Sequence, residues 1–157
     1  MTTDVVTATM REALAAPERE ATLRRLHDWR RRVHALYDEV QAHLDAPYAS
    51  DRSAKQRSQE GRVQQAGLTE DDAPPIDIMR ITRDGDVVAQ FMPRMLWIIG
   101  ANGRVDLLIT SRHTTRLFML FDRSPPFTNR SDWRLVRSTD VMAQPPFHPE
   151  LFHELLE

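Results

Sequence analysis

His27, Arg31, His34 and Asp38 follow one another at spacings of four, three and four. Imidazole and carboxylate are metal-ligand types, and His34 and Asp38 stand one helical turn apart. His27 and His34, however, are two turns apart, about 10 Å by helix rise, too far for one ion to join. The same spacing suits a solvated helix face laced with ion pairs, and that is the expectation. A second group, Asp106, Arg112 and His113 with Asp122 and Arg123, offers a general base beside anion-binding arginines at the ends of predicted strands. Turn residues of these types also serve only to solvate a sheet end. Neither group is assigned a catalytic role, a metal or a cofactor.

The stretch LWIIGANGRVDLLI, Leu96 to Ile109, is the sharpest motif. Its apolar pair, G-x-x-G and spaced apolar residues resemble the signature of K-homology RNA-binding domains. That resemblance implies a loop clamping backbone nucleotides. Gly100 and Gly103 would form the clamp, Arg104 would lie beside the phosphates, and Arg112, Arg116 and Arg123 would add contacts. The family carries a basic residue between the glycines, where this chain has Ala101-Asn102. Its loop joins two helices, whereas Trp97, Ile98 and Ile99 before the motif and Val105 and Ile109 after it favour strand. A hairpin explains the flanks without a ligand. With Asn102-Gly103 at two positive-φ turn positions, Ile98 faces Leu107 and Leu96 faces Ile109 on an apolar face. Trp97 then faces Leu108, and Ile99 faces Asp106. The hairpin is the leading expectation and the RNA loop an alternative. HELLE at His153 to Glu157 resembles the first half of a zinc-protease helix, but position 157 holds glutamate where the second histidine belongs.

These residues need elements to hold them. Leu26, Trp29, Val33, Leu36 and Val40 recur at steps of three and four, with Leu23 and Leu44 extending the stripe. The pattern predicts a long amphipathic helix from Pro17 to about Ala46, preceded by a short helix over 4–15. Residues 47–75 are polar, with Val63 and Leu68 the aliphatic exceptions beyond alanine, and read as a mobile linker. From Ile76 onward, short strands follow one another: Ile76–Arg83, Asp86–Met92, Met95–Gly100, Arg104–Thr110, Thr115–Phe121 and Asp132–Arg137. Asp84-Gly85 is a tight-turn pair between the first two. HPELFHELLE predicts a closing helix with Pro149 at its first position. With no helix between the strands, a six-stranded antiparallel meander is expected, in one α+β domain.

Composition narrows the function. The chain has 157 residues, a net charge of −2 and no cysteine. This excludes disulfides, thiolate catalysis and a global basic field for nucleic acid or anionic lipid. Lys55 is the single lysine among twenty-one basic residues, a bias that points to a GC-rich bacterial genome. The apolar runs are too short to span a bilayer and the first residues lack a secretory pattern, so a cytoplasmic protein is expected. The leading reading is a non-enzymatic binding or accessory domain, of adaptor or immunity type. Its partner is a protein or a second copy, met through Trp29, Val33 and Tyr37 on the helix or Trp97 and Leu108 on a sheet face. A small-ligand cup or enzyme on a curved sheet is the alternative.

Overall fold

The computed structural model describes residues 2–157, with side chains from Pro17 onward. It opens with one continuous helix, α1 (Thr2–Ala42), in place of the two expected. Pro17 lies inside it, where it costs one helical hydrogen bond and crowds the preceding turn. The residues on both sides, MREALAA and EREATLRR, are strong helix formers and carry the helix through. The apolar stripe is placed as predicted: Leu26, Trp29, Val33, Leu36 and Val40 are all buried, joined by Tyr37. Arg32 is buried with them.

The segment 47–75 is not a linker outside the fold. It supplies β1 (Tyr48–Asp51), β2 (Lys55–Gln56), the five-residue α2 (Gly61–Gln65) and a 3₁₀ turn at Glu70–Asp72. Val63, Ala66, Leu68 and Ala73 enter the main core. An edge strand needs backbone partners more than apolar side chains, so composition alone conceals it. Arg57 also ties the segment to itself, donating to the Asp71 and Ala73 carbonyls.

The remaining strands are β3 (Ile76–Asp77), β4 (Met79–Arg83), β5 (Asp86–Met95), β6 (Arg104–Ser111), β7 (Thr114–Asp122) and β8 (Trp133–Arg137). They form a six-stranded sheet in the order β1-β4-β5-β6-β7-β8, antiparallel throughout, while β2 and β3 pair separately. The strand number agrees with expectation; the membership does not. Asp84 and Gly85 turn with φ of 53° and 86°, the two positive values a tight hairpin demands.

The predicted hairpin at Asn102-Gly103 is absent. The partner of β6 is β5, with Phe91 opposite Leu107 and Ala89 opposite Ile109. β5 runs on through Pro93 to Met95, with a register shift between those residues; a bulge is one place where a strand tolerates proline. Leu96 and Trp97 then donate their backbone N–H groups to the Glu60 carboxylate at about 3.0 Å, not to a neighbouring strand. The tight turn is Ile98-Ile99-Gly100-Ala101, closed by an Ile98–Ala101 bridge. Gly100, with φ of 84°, takes the positive-φ position, and Asn102 does not. Neither flank of the glycines is a helix, so the K-homology geometry is absent too.

Pairing sorts the sheet into two faces. Ile81, Ala89, Phe91, Val105, Leu107, Ile109, Phe118, Leu120 and Leu135 face the core, where α1 lies. The closing helix α3 (Pro149–Leu156) packs on the same side, the Phe152 ring 5.3 Å from that of Phe91. His148 caps it by accepting the Leu151 N–H.

Candidate functional site

The other sheet face carries the candidate site. Direct pairing sets Met92, Asp106, Met119 and Val136 in one row, and Gln90, Leu108 and Leu117 in the next. A third row holds Arg104, Phe121 and Arg134. None of these residues belongs to the core cluster, although Asp106 and Val136 are buried. A solvated antiparallel face normally alternates to polar residues. Here its centre is Met92, Leu108, Leu117, Met119 and Phe121, and Leu117 is 40% exposed. Among the described residues, the helices that touch the sheet, α1 and α3, pack on the opposite side.

Arginines frame that apolar centre. Arg94 and Arg104 both pair with Asp106, at 3.1 and 2.7 Å, and Arg134 pairs with Asp132 at 2.9 Å. Arg123 lies over the Phe121 ring at 5.3 Å and donates to Gln144 and to the Gly100 carbonyl. Arg80 stands opposite Asp51 on the edge strand. Five arginines thus outnumber three carboxylates around the centre. Beyond the rim, Ile99 at the turn tip and Val141 and Met142 in the loop after β8 are exposed. Arg123 and Gln144 link those two loops, since Gln144 also donates to the Val141 carbonyl.

On the core side, charge is built into the fold. Arg32 is 1% exposed, Asp122 0% and Asn102 3%. Arg32 donates to Asp122 and to the Asn102 carbonyl, both at 2.7 Å, and to Asp28 at 2.8 Å. Asp122 also accepts the backbone N–H groups of Ser124 and Asp132. Trp29 lies beneath this network, its ring 5.2 Å from the Arg32 guanidinium. A further cluster surrounds Asp77, which accepts from Lys55 at 2.6 Å and Arg52 at 2.9 Å. Burial pushes the Asp77 carboxyl upward, but these bonds outweigh it and hold it below the usual carboxylate range. His34 accepts the Asp77 backbone N–H at 3.0 Å, and burial, only partly opposed by Asp77, lowers its pKa. His34 and Asp77 therefore form a structural tie, fastening α1 to β3.

The residues singled out from the sequence scatter across these places. Trp29, Val33 and Tyr37 are core, not partner surface: Tyr37 packs edge-on against Phe91, and Trp29 against Trp133. The helix still outruns the sheet, about 62 Å against roughly 34 Å for β5. Residues 17–20 are exposed there, and the side chains before Pro17 lie outside the described residues. Trp97 and Leu108 do not share a face, because Trp97 has left the sheet and stands 5.9 Å from the Arg25 guanidinium. Leu108 is on the open face as expected. Arg104 opens β6 and Arg112 lies in the turn beyond its far end, roughly 26 Å away by strand rise, so they do not converge with Gly100 and Gly103 on one loop. Leu117, Met119, Phe121 and Met92 were missed as site residues. Their alternation with core positions along β5 and β7 was the available signal.

No protein family matches the chain, and no curated protein or solved structure matches it either.

Proposed function

We propose that this is a non-enzymatic binding domain that docks an acidic protein on its open sheet face. One observation carries the reading: the apolar centre Met92-Leu108-Leu117-Met119-Phe121 within a ring of arginines. Interface cores are enriched in methionine, aromatic residues and arginine and depleted in free charge. The paired aspartates here leave the arginines oriented but in excess. Titratable groups at the site support binding over catalysis, because Asp106 and Asp132 are spent on arginines. The rim also argues for a different partner over a second copy, since face-to-face self-association would bring arginine rims together.

Co-purification with the tagged full chain, paired with sedimentation of the purified protein, tests the reading. A stoichiometric acidic protein should accompany the wild type and be lost with Leu117→Glu, whose far-ultraviolet spectrum should be unchanged. The purified chain should sediment as a monomer. A concentration-dependent dimer abolished by Leu117→Glu would overturn the acidic-partner assignment. Retention of the partner by Leu117→Glu would move the site elsewhere.

A further inference from the structure

We propose that the Arg25–Asn102–Arg32 cluster, on the helix side of the molecule and distinct from the open sheet face, binds a small monocarboxylate with an apolar body. Four buried side-chain polar atoms among the described residues lack a hydrogen-bond partner: Arg25 Nε, Arg32 Nη2, Asn102 Nδ2 and Ser124 Oγ. All four belong to one connected network. Arg25 Nη2 donates to Asn102 Oδ1 at 3.1 Å, Arg32 bridges Asn102 and Asp122, and Asp122 holds the Ser124 backbone.

The surplus is one of donors. Three of the four atoms are N–H groups. The acceptors nearby are committed: Asp28 to Arg31 and Arg32, and Asp122 to Arg32 and two backbone N–H groups. A buried donor left unmatched is costly, and a carboxylate is an acceptor-only group that suits the guanidinium fork. These donors, and not net charge, favour a carboxylate, because Arg62, Glu18 and Glu60 join Arg25, Arg31, Arg32, Asp28 and Asp122 around the site. Burial first, and then the Arg32 charge, push the Arg25 pKa down, against the opposing pull of Asp28 and Glu60.

A depression adjoins the donors. Arg25 and Trp97 line this space of about 290 Å³ between α1 and α2, with Ala21 and Ala66 as further apolar surface and the opposite charges of Glu18 and Arg62 also in its lining. Arg25 is half-buried, so it reaches both the depression and Asn102. Arg25 is the member of the network that lines the depression, so a carboxylate entering it meets the network at that guanidinium.

Thermal melting of the full chain in sodium benzoate, acetate, phosphate or chloride at equal ionic strength is the test. Benzoate should raise Tm saturably, acetate less, and chloride not at all. Asn102→Asp places an acceptor where a donor stood and should abolish the benzoate response. Arg25→Met, at a half-buried helix position, should weaken apparent benzoate affinity by about tenfold or more. If Asn102→Asp does not fold, the Arg25→Met comparison decides alone. A benzoate response equal to that of chloride means buried waters satisfy the donors, and the proposal fails. It fails equally if both variants respond like wild type, or if phosphate stabilises more than either carboxylate.

Discussion

A Cβ placed on Gly103 would lie 2.1 Å from the Trp29 ring, and the residue already sits at φ of 124°. No L side chain fits there on either count. The close approach lets Asn102 hand its carbonyl to Arg32 and its side chain to Arg25. Gly103→Ala should therefore lower unfolding free energy by about 3 kcal/mol, read by urea titration, combining strain with overpacking. Gly100→Ala should cost less, since its Cβ would meet only the flexible end of Arg123, at 3.3 Å. The glycine pair was legible as a turn, but not which glycine turns the chain and which yields to a tryptophan from another element. His34 makes a second residue-scale prediction. Its folded pKa lies below the ordinary 6.5, so the unfolded chain takes up the proton first. Stability should be full above pH 6.5 and fall as pH drops below it. His34→Gln, whose amide oxygen can accept from Asp77, should flatten that slope in melts between about pH 5 and 7.

Elements divide by how far their stabilising partners lie along the chain. The Asp84-Gly85 hairpin, the β6–β7 pair and α3 were legible because each is fixed by neighbours within a few residues. The helix stripe was legible for the same reason, by its period. Segment 47–75 was not, because what holds it lies elsewhere. Arg52 donates to Asp77, Asp38 and Gln41 and lies 5.2 Å over the Tyr37 ring, and Glu60 receives the N–H groups of Leu96 and Trp97. The apolar run Leu96 to Ile99 misled for the converse reason. It has strand composition, yet its N–H groups go to a carboxylate and its Ile99 to solvent. Arg52→Ala should remove charge-assisted bonds worth about 1.5–3 kcal/mol and open this segment. In limited trypsinolysis the wild type should resist cutting at Arg57 and Arg62, and the variant should be cut there first. Early cutting of the wild type at those residues would show that the segment is not held as described.

The whole molecule is a sheet with one face committed to helices and the other left open. Much of this candidate face could have been read from the sequence in parts: Leu108 was singled out, and the alternation along β5, β6 and β7 places its neighbours. What no local pattern reveals is that both helices choose the same side, because that depends on the β1-β4-β5-β6-β7-β8 order and on Phe91 meeting both Tyr37 and Phe152. Among the described residues no helix is long and apolar enough to cross a membrane. The arginine rim of the open face favours an acidic binder, and a centre of two methionines and two leucines, with the single ring of Phe121 already covered by Arg123, favours protein over stacked bases. The most direct test is photocrosslinking in living cells from a benzophenone amino acid at position 117, with the same probe at exposed Glu39 as control. A single protein adduct of acidic composition, formed from position 117 and not from position 39, is the predicted result. No adduct at position 117, or an adduct with RNA, would contradict the open face as a protein-docking surface.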